Sequence, residues 1–138
     1  MLALAALLTI AAPSAPARAC LQATVEQDVP VTLSGRLESH VYPGPPNYER
    51  IRGGDRAESA YILVLDRPIC LDDGEAGSPR PPFRRVHIYT NRNALRPRLH
   101  AAIGHQIRIS GRGFAAFTGH HRAPLVVEVT ALARIGRR

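Results

Sequence analysis

Two short stretches of this chain carry the side chains able to do chemistry. The first places His40, Tyr42, Asn47, Tyr48 and Glu49 around Pro43-Gly44-Pro45-Pro46, and the second places Thr118, His120, His121 and Arg122 around Gly119. Imidazoles suit two tasks near neutral pH: ligating zinc or copper when neutral, and moving protons when they titrate. A metal site would use His40, His120 and His121, with Glu49 or Asp55 adding a carboxylate. Adjacent histidines point to opposite faces of an extended strand, so His120 and His121 share an ion only if the turn at Gly119 bends the backbone. The tyrosines, Asn47, Glu49, Thr118 and Arg122 suit contact with a ligand instead. A plainer structural role stands beside both: Pro45 and Pro46 stiffen a loop, Tyr48 staples it to the body with its hydroxyl wet, and the histidines cap a turn.

Catalysis finds no motif. The chain lacks a G-x-S-x-G elbow, an H-E-x-x-H helix and a phosphate-binding glycine loop, and Ser39 beside His40 says little because a nucleophile and its base meet in space. No catalytic residue is assigned, and the expectation is a non-enzymatic protein without a cofactor. Zinc or copper on His40, His120 and His121 is the alternative, and those three are the acid or base candidates.

Stepping from these residues to the chain that must hold them, 138 residues make one hydrophobic core. No apolar run reaches the roughly 18 residues of a spanning helix. Hydrophobic content of 45% beside 21% charged residues fits a globular chain, and 12 prolines with 11 glycines call for many turns. The net charge of +7 comes entirely from arginine, with no lysine, which reads as the codon bias of a GC-rich genome. The arginines are scattered, as on a solvated surface, and no block of like charge points to nucleic acid. With no Trp, four Tyr and three Phe, the chain also lacks the exposed rings on which single strands stack. A basic surface outside the cytoplasm meets anionic lipid or acidic glycan more readily. The expected partner is an envelope protein, a peptide or an anionic glycan.

The start of the chain reads as an export signal over residues 1–19. Leu2 to Ala12 form an apolar stretch, Pro13 breaks it, and Ala17-Arg18-Ala19 fits the A-x-A cleavage pattern. Cleavage near Ala19 leaves a single domain, 20–138, that is periplasmic or secreted and has no transmembrane segment. Cys20 after the cut raises acylation as a lipoprotein, but Ala17 and Arg18 fit a lipobox poorly. An even pair of cysteines in an oxidising compartment forms a disulfide, Cys20 with Cys70.

Period-two alternation marks strands at Val29–Leu37, Ala60–Asp66, Arg84–Thr90, Gln106–Phe114 and Leu125–Leu132. Gly35 interrupts the apolar face of the first, marking a bend. A loop from Ser39 to Ser59 follows it, and Pro68 closes the second strand. Leu95, Leu99 and Ile103 recur every four residues, with Pro97 in the first turn and Gly104 at the stop, which predicts one short helix.

This order resembles an OB-fold: all-β in the main, a five-stranded barrel with one short helix between the third and fourth strands and a first strand bent at a glycine. That resemblance, over about 29–133, implies ligand binding across strands two and three and in the loops joining strands one to two and four to five. Those loops are the two stretches described at the outset. Locally, Pro43-Gly44-Pro45-Pro46-Asn47-Tyr48-Glu49, Leu65-Asp66-Arg67-Pro68-Ile69-Cys70 and Thr118-Gly119-His120-His121 resemble a family of small exported bacterial proteins known as a domain of unknown function. The family commonly has Trp where Tyr61 stands and often a third histidine where Arg122 stands, so no role of a third histidine carries over.

Overall fold

The computed structural model describes residues 19–136, and the expected signal segment, apart from Ala19, lies outside them. The chain is mainly β. In order come β1 (Leu21–Gln22), β2 (Val29–Pro43), a 3-10 turn (Ile51–Gly53), β3 (Ala57–Ile69), β4 (Leu71–Asp72), β5 (Phe83–Tyr89), α1 (Arg96–Ala101), β6 (Gln106–Ala115) and β7 (Leu125–Arg134). Seven strands in two sheets thus stand among the described residues where five were expected. The two additional ones, β1 and β4, pair in parallel beside the disulfide, Leu21 opposite Leu71. At two residues each they are too short to carry a period.

The other five strands close on themselves in the order β2-β3-β5-β7-β6. β2 makes the closure by serving both sides. Its first half pairs with β6, its second half with β3, and Gly35 lies in both ladders, opposite Leu65 and Ile107. The neighbouring backbone passes so close that a Cβ on Gly35 would sit 2.2 Å from the Val64 carbonyl oxygen. The bend expected at Gly35 is therefore a place where only a missing side chain lets two strands meet.

Alternate residues fill the interior: Val31 and Leu37 from β2, Leu63 and Leu65 from β3, Val86 and Ile88 from β5, Ile107 and Ile109 from β6, Leu125, Val127 and Val129 from β7. Leu99 of α1 is fully buried against them, with Leu95 and Ala102. Gly104, at a φ of 81°, reverses the chain after the helix as its position predicts.

Two boundaries depart from expectation. β2 runs to Pro43 and β3 starts at Ala57, so much of the expected loop is a hairpin in which His40 faces Ala60 and Tyr42 faces Glu58. The prolines obscured this, since Pro43 ends the ladder without entering its interior. β3 likewise continues through Pro68 to Ile69, because the pairing with β5 shifts between Val64 and Ile69 and asks for no donor there.

Ile62 and Val126 are also fully buried, yet they lie on the outer face of the barrel. Both register with His87, and the loop between β6 and β7 reaches that row.

Candidate functional site

The outer face of β2, β3 and β5 presents Glu38, His40, Tyr42, Glu58, Arg85 and His87. Two loops, 44–56 and 116–124, fold over it and meet. The first is shaped by Asp55, which is buried and accepts three backbone N–H groups: Asn47 at 2.9 Å, Glu49 at 2.7 Å and Arg50 at 2.8 Å. These donors, Arg50 and Asn47 foremost, hold the Asp55 carboxyl below its usual range. Both its oxygens are thereby occupied. The loop is closed further by Gly44 N–H on Arg56 and Arg56 N–H on Pro45. Tyr48 takes a left-handed backbone, φ 60°, which turns its ring outward onto the second loop.

There the ring rests on Gly119, whose missing side chain leaves room: a Cβ would come within 3.0 Å of it. The Tyr48 hydroxyl lies 3.0 Å from His120 Nε2, and His120 Nδ1 lies 2.9 Å from a Glu58 carboxylate oxygen. Because Glu58 only accepts, Nδ1 carries the proton, and in neutral His120 the tyrosine hydroxyl donates to Nε2. Arg122 completes the knot. Its guanidinium donates to Glu58 at 2.8 Å and lies 5.1 Å from the Tyr42 ring centre and 5.7 Å from that of Tyr48. His120, then Arg122, hold the Glu58 carboxyl below its ordinary range.

His121 turns the other way. Its Nδ1 accepts the backbone N–H groups of Phe117 and Thr118 at 3.0 and 3.3 Å, and its ring packs edge-on against Phe117 and Phe114. His87 accepts the Arg122 backbone N–H on Nδ1 at 3.3 Å. Burial, with His121 and Arg122 beside it, pushes His87 down to about 4. His121 is also lowered, by burial and by His120. Both imidazoles are therefore kept as neutral acceptors that fix the loop.

Of the residues singled out in sequence, Tyr42, Tyr48, Thr118, His120, His121 and Arg122 come together. Thr118 serves the turn, accepting His120 N–H on its hydroxyl and His121 N–H on its carbonyl. His40 stands apart, bonded to Glu38 at 2.7 Å, while Tyr42 accepts from Arg85 at 3.1 Å. Asn47 and Glu49 are exposed and are tied in through their backbone N–H groups. The three histidines of the expected metal site thus face different partners. Among the described residues no three His, Cys, Asp or Glu side chains are grouped to hold a metal ion.

Sequence reading passed over Glu58 and His87. Glu58 belonged to the expected loop, but β3 begins at Ala57, and period two then puts Glu58 on the same face as Ala60 and Ile62. His87 was already on the outer face of its strand, opposite Val86 and Ile88. The signal that it mattered was one imidazole on a face that two loops had to cover.

Fold and site define a mainly β domain with one disulfide, Cys20–Cys70, whose two long loops clasp over the outer face of the strands. A family model described as a domain of unknown function, DUF4431, matches residues 85–133, taking in His87 and the 116–124 loop. No curated protein and no solved structure matches the chain. No helix among the described residues is long and apolar enough to cross a membrane.

Proposed function

We propose that the protein is an exported, non-enzymatic binding module with an OB-fold-like layout, which holds its partner on the outer face where the two loops meet. One observation carries this reading. The two loops, with Tyr48 and His120 72 residues apart, are bonded to one another and to β3, which gives a preformed surface. A preformed surface loses little entropy on binding. Phe117, 57% exposed beside His121, supplies an apolar anchor at the loop tip, and Arg85, 3.9 Å from Glu38, donates to Tyr42. An aromatic anchor flanked by arginine is the composition of a recognition surface. It suits a protein or peptide of the cell envelope, or an anionic glycan. Export is supported by the A-x-A pattern at Ala19 and by the disulfide, which persists in oxidising compartments.

The test is photo-crosslinking in the native cell envelope from a probe at Phe117, with a second probe at Val25, an exposed residue outside both loops. One discrete adduct from position 117 that is absent from position 25, survives chelator and disappears in Arg122→Ala supports the reading. Equal labelling from both positions rejects it. An adduct lost on chelation returns the metal alternative.

A further inference from the structure

At another part of the barrel a cleft of about 650 Å³ opens between the bend of β2, the turn after α1 and the end of β7. It is lined by Arg36, Gly104, His105, Gln106, Arg134 and Ile135, with Gly136 at its edge. No carboxylate is among them, and it shares no residue with the clasp. We propose that this cleft binds a phosphate or sulfate ester, its oxyanion held by Arg36 and Arg134.

Neither guanidinium meets a carboxylate among the described residues. Arg80, Arg112 and Arg122 each meet a carboxylate: Asp73, Asp28 and Glu58. Arg36 makes no side-chain hydrogen bond or ion pair with any described residue. Asp66, which touches the lining residue Gln106, accepts from its Nε2 at 2.5 and 2.7 Å. Two positive groups therefore face a concavity without their counter-charges, and low-dielectric walls strengthen the field of such groups on an anion.

The walls are held in place by backbone bonds. Gly104 N–H donates to the Leu37 carbonyl at 2.7 Å, and Leu37 N–H donates to the His105 carbonyl at 3.0 Å, so the turn is stapled to β2 directly after Arg36. Ile135 N–H donates to the Gln106 carbonyl at 3.0 Å on the other side. Arg134 is aimed by its bond to the Ala101 carbonyl. Gly104, at a φ of 81°, places the turn beside Arg36 Nη2. Guanidinium forks match the oxygens of phosphate and sulfate in pairs, and a preset fork spends little entropy on the contact. The volume exceeds what a bare ion needs and lies in the range of small-molecule sites, which argues for an oxyanion carried on an organic body.

The test is a titration of the whole purified protein at low ionic strength, followed by amide NMR and calorimetry. The probes are inorganic phosphate, inorganic sulfate, glucose 6-phosphate and glucose. The expected result is saturable one-to-one binding of the anions with shifts at Gly104, His105 and Gln106, and none with glucose. Glucose 6-phosphate binding tighter than inorganic phosphate supports an ester as ligand, and equal or weaker binding overturns the ester. Arg36→Gln weakens binding by at least about tenfold, while Arg112→Gln changes it less than about twofold. The Arg36 side chain has no partner to lose, so its variant keeps the parent's unfolding midpoint and the comparison stays clean. Shifts spread over all exposed arginines, or full binding by Arg36→Gln, overturns the proposal.

Discussion

Arg122 and Glu58 lie 64 residues apart and meet at 2.8 Å, and the arginine side chain is only 9% exposed. This pair joins the 116–124 loop to β3, while the tyrosine rings on either side exclude water from the arginine. Removing Glu58 would strand the Arg122 charge in a poorly hydrated place.

Arg122→Ala is expected to open the loop without unfolding the barrel, because the β ladders do not pass through it. Amides of residues 117–122 then exchange roughly tenfold faster or more, and those of β6 and β7 keep their protection. Exchange at Phe117 to Arg122 that matches the parent protein would show that the clasp does not hold the loop.

His87 makes the protein acid-sensitive in a definite window. Its folded value, about 4, lies below the ordinary 6.5, so the unfolded chain takes up a proton that the folded chain refuses. Stability is therefore complete above about 6.5 and falls with pH down to about 4. The two values correspond to about 3 kcal/mol at most. His121 is shifted in the same direction and adds to the fall. His87→Gln keeps an acceptor for the Arg122 N–H and removes this proton. Urea midpoints between about pH 7 and about pH 4.5 are expected to decline less steeply in the variant. Parallel declines in the two proteins would assign the acid sensitivity elsewhere.

The Cys20–Cys70 disulfide spans 50 residues and ties the β1–β4 ribbon to the end of β3. On the loop-entropy account, losing it costs about 3–4 kcal/mol. The double variant Cys20→Ser, Cys70→Ser and the chemically reduced parent should show the same lowered urea midpoint. An unchanged midpoint in both refutes the stabilising role.

Gly35 has no room for a side chain. An alanine Cβ would collide with the backbone of Val64 and Leu65, and strand backbones cannot rotate out of the way as a side-chain tip can. Gly35→Ala is expected to cost about 3 kcal/mol or more. Gly53→Ala, where the nearest atom is 3.6 Å away and belongs to the Arg50 side chain, is expected to cost less than about 0.5 kcal/mol. Equal effects on thermal unfolding would remove the close approach as the reason for glycine at 35.

Period two and the punctuating prolines and glycines were enough to read the all-β class, the five long strands, a single short α-helix before Gly104, the bend at Gly35 and the cysteine pair. Those are local properties: alternation buries one face whatever the partner strand, and an even cysteine pair has one pairing to make. The residues of the two loops were also visible as unusual, since aromatic and ionisable side chains cluster there around prolines and a glycine. What they do was decided by tertiary structure. Which strands pair and how far β2 runs past its bend depend on partners some 10 to 80 residues away, and the folding of the loops over the outer face depends on contacts across more than sixty, such as Tyr48 with His120 and Glu58 with Arg122. Those contacts moved Glu58 and His87 into the site and separated His40 from the two histidines it was expected to join. A side chain's neighbours along the chain set its conformation, but its chemistry is set by whatever the fold brings against it.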